Sequence, residues 1–466
     1  MCCSGLNWIA ENPDIMRKIR EELIVNQNFM KEKKILPLVI SMSLPMVVSM
    51  AVNSMYNIVD SYFVANINEN AMTALSLVYP VQNLMTAIGV GFGVGLNAKI
   101  AYYLGAGKNE PADRIAASGL LLSVLHGLVL MAVCLLGMPA FLKMYTDNPQ
   151  ILSMGLEYAN RAFLFSVVIM LQISMEKIFQ AVGRMKVSMI SMILGFVTNI
   201  VLDPLMIFGI GPFPEMGMAG AAYATGIGQS ICLLSYVVFA VLRPLPIRFT
   251  AANLKPQRKL VAGVYAVGIP ATLNMALPSF LISALNGILA PFSDKYILVL
   301  GAYYKLQTFI YLTANGIIQG IRPLVSFNYG AGEHRRVQEI FRTTLYLTMG
   351  VMVVGVILCL TIPGGLIGLF TSKADTIAIG VTALHIICVG FIVSAVSVTC
   401  CGVLEALGAG VSSLMISLLR YLVVIIPAAM LLSRVWGANG VFAALPVTEF
   451  ITAVAAILIY RRRRLV

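Results

Sequence analysis

Apolar residues form long runs along this 466-residue chain, and each run is long enough to cross a lipid bilayer as a helix. The hydrocarbon core of a bilayer is roughly 30 Å thick, so a helix needs about 20 residues to span it. The runs do not alternate between apolar and polar residues, as the strands of a membrane barrel would. We therefore predict twelve transmembrane helices, at residues 35–64, 73–101, 116–141, 156–181, 187–208, 217–242, 261–290, 296–327, 343–370, 376–401, 412–432 and 440–460.

The composition supports an all-α membrane protein. Hydrophobic residues make up 59% of the chain and charged residues 11%, whereas soluble domains carry roughly 25% charged residues. Such a chain cannot cover a water-facing surface with polar groups. Residues 1–34 contain no long apolar run, so we expect no cleavable signal peptide. The adjacent Cys2 and Cys3 could be acylated or could be ordinary reduced thiols.

Basic residues in the predicted loops lie mainly on one side of the membrane, which argues against nucleic-acid binding as the reason for the net charge of +12. Cytoplasmic loops are rich in Lys and Arg, so we place both termini in the cytoplasm and the protein in a bacterial plasma membrane. The basic residues on that side are Arg17, Lys18, Arg20, Lys31, Lys33, Lys34, Lys108, Arg114, Arg184, Lys186, those in 243–260, Arg335, Arg336, Arg342 and 461–464. The opposite loops contain Lys143, Lys295, Lys373 and Arg434.

The second half of the chain repeats features of the first half at an offset close to 225 residues. The matching pairs are Pro45 with Pro270, Leu104-Gly105-Ala106-Gly107 with Tyr329-Gly330-Ala331-Gly332, and Gln180-Ala181-Val182-Gly183 with Glu405-Ala406-Leu407-Gly408. Each half contains six spans, so the halves enter the membrane from the same side and should be related by a pseudo-two-fold axis along the membrane normal.

This duplication predicts two six-helix lobes, at 35–242 and 261–460, joined by a basic cytoplasmic linker at 243–260. Tails at 1–34 and 461–466 complete the chain. Two such lobes can rock about a central cavity and give alternating access. Pro45 and Pro270 fall inside the first helix of each lobe, where a proline permits a kink.

Two aspartates fall inside predicted spans, where an ionised side chain costs about 2.5 to 3.5 kcal/mol and usually has a function. Asp60 follows Asn53 and Asn57 at helical spacing, and Asp203 follows Asn199 by one turn. If the two helices meet, their oxygen atoms would suit Na⁺. Two nearby carboxyl groups could equally share a proton. The residues leave both ions open.

Several segments resemble the multidrug and toxic compound extrusion family of cation-coupled exporters. They are Leu44-Pro45 with Asp60 fifteen residues after the proline, GVGFGVGLNAKIAYYLGAGK at 89–108, FQAVGRMKVSMISMILGFVTNIVLDPLMIFG at 179–209, GMAGAAYAT at 217–225 and GIIQGIRPLVSFNYGAG at 316–332. The resemblance covers residues 35–460 and is greatest to small bacterial multidrug exporters. It implies an N-lobe cation site at Asp60, Asn199 and Asp203. Thr225 and the backbone carbonyl of Ala221 would be further ligands, and Asn53 would belong to the surrounding polar network.

The second half departs from this pattern. The offset places Leu285 opposite Asp60 and Ala428 opposite Asp203, so we expect coupling in the first half only. One branch of the family carries a glutamate in the seventh helix, where this chain has Pro278 and Ser279. Glu449, Arg420 and Lys305 are candidates for the cavity, and Glu405 could pair with an arginine. We expect Lys99, Lys177 and Arg322 to extend to the lipid headgroups.

These observations predict an antiporter in which inward movement of H⁺ or Na⁺ drives outward movement of small amphipathic, cationic drugs. Methionines such as Met46, Met50, Met55 and Met275 could form an adaptable apolar wall in the cavity. The chain contains no GxxxxGK[ST] loop for ATP, and we expect no other cofactor, no enzyme activity and a functional monomer in membrane lipid. A flippase for lipid-linked substrates is the alternative, and it would require a strongly cationic cavity. A fixed channel fits the duplicated halves less well.

Overall fold

The computed structural model of the protein describes residues 27–464, with side chains as far as Arg462. Twelve of its helices are long and apolar enough to cross a membrane, as predicted. We number them α1 (Ile35–Ala65), α2 (Glu69–Gly105), α3 (Asn109–Lys143), α4 (Pro149–Ala181), α5 (Met185–Ile207), α6 (Gly217–Leu242), α7 (Arg258–Leu289), α8 (Asp294–Gly330), α9 (His334–Thr361), α10 (Ala374–Ala406), α11 (Gly410–Trp436) and α12 (Ala438–Arg464). Short helical segments at Phe29–Glu32, Ala251–Leu254 and Pro363–Gly368 lie between or before them.

Polar capping residues mark the points where α2, α4 and α8 begin. In α2, for example, the side chain of Asn68 accepts a hydrogen bond from the backbone N–H of Ala71, so the helix begins at Glu69. The ninth predicted span is displaced: the helix is His334–Thr361, and Pro363 begins a separate short helix. Ile362, directly before Pro363, has a non-helical φ of −132°, and a proline disfavours the helical conformation of the residue before it, which agrees with the end of α9 at Thr361.

The two halves share an irregularity that supports the duplication. A single 3₁₀ turn interrupts α4 at Phe163–Phe165, and another interrupts α10 at Cys388–Gly390, which is 225 residues later. By contrast, α1 and α7 continue through Pro45 and Pro270 without a break. A π-helical turn at Leu419–Val423 occurs in α11, whereas α5 has none. The halves are therefore similar in path and different in local detail.

The apolar cores show that the lobes meet at one end only. We call this end the terminal face; it holds the loops that follow α2, α4, α6, α8 and α10. There a single core joins both lobes, with Leu38 and Leu96 of the first half packed with Val264 and Leu324 of the second. At the opposite end, which we call the far face, each lobe has a separate core. The interlobe space is therefore closed at the terminal face.

The repeated Gly-Ala-Gly segments form this closure. A Cβ atom added to Gly105 would lie 2.0 Å from the carbonyl oxygen of Phe327, and one added to Gly330 would lie 2.0 Å from that of Tyr102. These two contacts are equivalent under the 225-residue offset, because Tyr102 matches Phe327. Only glycine permits this approach of α2 to α8.

The chain before α1 also binds the second lobe at the terminal face. The side chain of Asn328 donates a hydrogen bond of 3.0 Å to the carbonyl of Met30, and Arg336 donates one of 2.8 Å to that of Lys33. Within the first half, Arg184 donates to the carbonyls of Arg243 and Pro244 at the start of the linker. Cys2, Cys3, Arg17, Lys18 and Arg20 lie outside the described residues.

The Gly330 contact predicts that Gly330→Ala destabilises the closed terminal face. Overpacking a tight contact costs about 1 to 3 kcal/mol, so we expect the thermal midpoint of the purified protein in detergent to fall by a few degrees. Gly137→Ala is the matched control, since its added Cβ meets no atom within 4 Å. An unchanged midpoint for Gly330→Ala would contradict this role of the glycine.

Candidate functional site

Two buried aspartates meet between α1, α5 and α6. Asp60 is 9% exposed and Asp203 is fully buried, and their carboxyl groups lie close enough to influence each other. The side chain of Asn199 donates to Oδ1 of Asp203 at 3.3 Å and to the hydroxyl of Thr225 at 3.2 Å. The structure thus brings four of the predicted residues together. We call Asp60, Asn199, Asp203 and Thr225 the aspartate site.

Three oxygen atoms of the aspartate site are buried without a hydrogen-bond partner among the described residues: Oδ1 of Asp60, Oδ1 of Asn199 and Oδ2 of Asp203. Buried oxygens without a donor are costly, and a cation or a proton would satisfy them. Carboxylate, amide and hydroxyl oxygens are hard donors that suit Na⁺. Within residues 27–462, neither aspartate has a basic side chain within ion-pair distance, since no salt bridge involves them.

Two tyrosines border the aspartate site and were not predicted. The side chains of Tyr56 and Tyr158 lie next to Thr225, and the hydroxyl of Tyr158 accepts a hydrogen bond of 3.1 Å from Gln82. Tyr56 could have been suspected, because it lies one turn before Asp60. Tyr158 of α4 carries no signal in the sequence, since its distance along the chain hides the contact.

The remaining residues predicted near this site have other positions. Ala221 is buried one turn before Thr225 on α6. Asn57 is exposed, and its side chain donates back to the carbonyl of Asn53 at 2.8 Å. Asn57 therefore does not join the aspartates, although it is one turn from Asp60. Asn53 faces a cavity on the terminal-face side of the site.

That cavity has a volume of about 340 Å³ and lies mainly in the first lobe. Helices α1, α2, α4, α5 and α6 line it, and α7 and α8 of the second lobe each add one residue, Met275 and Gln319. Four methionines line the cavity: Met46, Met50, Met192 and Met275. Met55, by contrast, is exposed. Methionine side chains adapt their shape, so such a wall can accept varied apolar ligands.

A buried ion pair belongs to the lining of this cavity, and it shows that the expectation for Lys177 is wrong. Its ammonium group contacts Oε1 of Glu176 at 2.8 Å, and the two side chains are 4% and 8% exposed. Lys177 therefore does not extend to the headgroups. From the sequence, a lysine near a span end looks like a surface residue. The signal for a buried ion pair is the close spacing of an acid, a base and a glutamine at 176, 177 and 180.

The second lobe contains two further buried pairs. Arg420, on the π-helical turn of α11, contacts Oε1 of Glu449 at 2.5 Å and the hydroxyl of Tyr311 at 3.2 Å. Arg322 contacts Glu405 at 2.6 Å, so Arg322 also does not extend to the headgroups. The expectation that Glu405 pairs with an arginine agrees with this contact. Neither Arg420 nor Glu449 lines the 340 Å³ cavity.

Lys305 and Lys99 are the remaining basic residues singled out in the sequence. Lys305 is exposed and lies over the ring of Phe370 at 5.7 Å, away from the cavity lining. Lys99 is half-buried, and its ammonium lies near Gly408 of the second lobe. In place of the aspartates, the second lobe has Leu285, which is fully buried in an apolar core, and Ala428, which packs against that core.

A two-lobe bundle of twelve apolar helices with a cavity at the interlobe surface is the architecture of a membrane transporter. The MatE family model matches residues 45–205 and 270–431, so the chain belongs to the MatE family. The two matched segments begin 225 residues apart. The family assignment and the twelve-helix, two-lobe fold are thus confirmed.

Individual relatives agree with this assignment. The chain is 26% identical to the multidrug export protein MepA of Staphylococcus aureus strain MSSA476 over 418 residues, which are 90% of this chain and 91% of that protein. It is 24% identical to MepA of Staphylococcus saprophyticus over the same shares. A solved multidrug resistance transporter in an outward-facing conformation superposes with a TM-score of 0.87 at 21% identity, covering 94% of this chain and 97% of that chain.

The Arg420 and Glu449 contact predicts a structural pair. Removing one partner of a buried pair leaves an unpaired charge and costs about 3 to 5 kcal/mol. We expect Arg420→Met and Glu449→Gln each to lower the thermal midpoint in detergent strongly, and the double variant to recover most of the loss. Equal losses in the single and double variants would contradict a direct pair. A stable double variant that fails to transport would instead assign the pair a role in transport.

Proposed function

We propose that this protein exports amphipathic organic cations from a bacterial cell and that entry of H⁺ or Na⁺ at the aspartate site drives the export. The observation that carries this proposal is a contrast between buried acids. Glu176, Glu405 and Glu449 each contact a basic side chain, whereas Asp60 and Asp203 contact each other. A permanent base would hold a carboxylate in one charge state. A carboxyl pair without a base can bind and release a mobile cation.

Alternating access follows from the way the lobes meet. The lobes share a core at the terminal face and have separate cores at the far face. If the terminal face is cytoplasmic, as the positive-inside rule favours, this arrangement is open to the outside. An ion can drive transport only by binding one arrangement more tightly than the other. The aspartate site lies between α1, α5 and α6, so ion binding would favour one packing of these helices.

The cavity supports the proposed substrate class. Its methionines and aromatic Phe196 offer an apolar wall, and its polar groups include Asn53, Gln172 and Gln229. The lining contains one acid and one base, Glu176 and Lys177, so it is not the strongly cationic cavity that a flippase for lipid-linked phosphates would require. The MepA relatives carry the name of multidrug export proteins, which supports drug export here. We propose that a single chain suffices and that ATP is not used.

The test is accumulation of ethidium in drug-sensitive bacteria that express the protein, with Na⁺ and pH gradients varied independently. We expect the wild type to lower accumulation severalfold and Asp60→Asn and Asp203→Asn to abolish this effect, because an amide has no negative charge to hold Na⁺ and cannot take up and release a proton. The gradient that the wild type requires identifies the ion.

Asp147→Asn serves as the matched control, since Asp147 is exposed in the loop before α4. It should behave as the wild type. If wild-type cells accumulate ethidium as empty cells do, while the protein is present in the membrane, organic-cation export is contradicted. If both aspartate variants still export, the coupling site lies elsewhere.

A further inference from the structure

Glu176 and Lys177 form the charged floor of the cavity. The ammonium of Lys177 contacts Oε1 of Glu176 at 2.8 Å, and its other two contacts, each 3.1 Å long, are to the amide oxygens of Gln180 and Gln319. Gln180 also donates to Oε1 of Glu176 at 2.7 Å. All three donor positions of the ammonium are therefore used.

Both charges face the cavity and not a closed core. Glu176, Lys177 and Gln319 all belong to its lining, together with Met46 and Met50. Glu176 and Lys177 are the charged residues of that lining. The cavity thus contains a carboxylate that could attract a cation, but an internal cation already neutralises it. An organic cation that enters the cavity finds no free negative charge.

The same lysine connects the two lobes. Gln319 belongs to α8 of the second lobe, whereas Glu176 and Lys177 belong to α4 of the first. One turn away on α8, Gly316 approaches Val47 of α1 so closely that an added Cβ would lie 2.7 Å from its Cα. The contact between Lys177 and Gln319 is therefore at the edge of the surface where the lobes meet.

We propose that Lys177 is a tethered counter-ion, which an organic cation displaces from Glu176 when it binds. This inference rests on the proposed export of organic cations and names the carboxylate that receives them. No covalent bond changes. Before binding, the floor is neutral. After binding, it holds one carboxylate and two cations, and the excess positive charge favours movement of Lys177 away from the floor.

Displacement would also weaken the closure between the lobes. Lys177 can leave Glu176 only by shifting its side chain, and the contact with Gln319 depends on that position. Substrate binding is thereby linked to lobe separation at the terminal face. The energetic link is the exchange of one ion pair for another in a low-dielectric cavity, where each such contact is stronger than in water.

The test measures binding of two fluorescent probes to the purified protein in detergent: ethidium, a cation, and Nile red, an uncharged dye. We expect Lys177→Met to bind ethidium about tenfold more tightly than the wild type, which corresponds to about 1.4 kcal/mol, because Glu176 is then free. Glu176→Gln should weaken ethidium binding by a similar factor. Nile red binding should change little in either variant. Lys143→Met, which removes an exposed lysine at the far end of α3, should match the wild type for both probes.

If the Lys177→Met protein does not fold, binding of the two probes to the double variant Glu176→Gln/Lys177→Met provides a second test. Replacing both partners of a buried pair is often neutral for stability. Displacement predicts that this variant loses the preference for ethidium over Nile red. A permanent structural pair predicts an unchanged preference.

The outcomes separate the two proposals. If the wild type binds Nile red but no ethidium, the proposed export of organic cations fails. If the wild type binds ethidium and Lys177→Met binds it no more tightly, or the double variant retains the wild-type preference, displacement is overturned and the export proposal stands.

Discussion

The pairing of charge inside the membrane is the constraint on which the other features depend. An ionised side chain within the bilayer core is costly, so each buried acid needs a partner. Glu405 and Glu449 have arginines, and Glu176 has Lys177. Asp60 and Asp203 have each other and the polar groups of α5 and α6. The first arrangement fixes the charge, whereas the second leaves it able to change. In the proposed mechanism, only the second arrangement exchanges the coupling ion, whereas the acids beside a base keep their charge.

The duplication extends to the closure between the lobes but not to the aspartate site, which belongs to the first lobe. Closure at the terminal face uses both copies equally, as the reciprocal contacts of Gly105 and Gly330 show. The interior of the lobes does not need this equality. Where the first lobe has Asp60, the second has Leu285 in an apolar core, and the buried acids Glu405 and Glu449 of the second lobe pair with arginine. Under the proposed coupling, the ion would therefore act on the first lobe.

Much of the fold could be predicted from the sequence, because length and hydropathy define helices that must span a bilayer. The aspartate site was also accessible, since Asn199 and Asp203 are one helical turn apart and the resemblance paired them with Asp60. Asn57 shows the limit of this reasoning: one turn from Asp60, it nevertheless bonds to its own helix. Lys177 shows another limit. Its position near the span end suggests a headgroup contact. The partner Glu176 is its neighbour in the sequence, whereas only the packing of α4 against α8 reveals the partner Gln319.

The aspartate site and the cavity are connected by continuous helix faces. On α5, Met192 and Phe196 line the cavity, and Asn199 and Asp203 follow on the same side at spacings of three and four residues. On α1 likewise, the residues that line the cavity come before Asp60 along the helix. Tyr56 of α1 stacks on Phe196 of α5, with ring centroids 5.2 Å apart. A change in charge at the aspartates acts on the same two helices that shape the cavity wall. Because close-packed interiors transmit strain, the proposed coupling of ion binding to substrate binding would need no long pathway between the two sites.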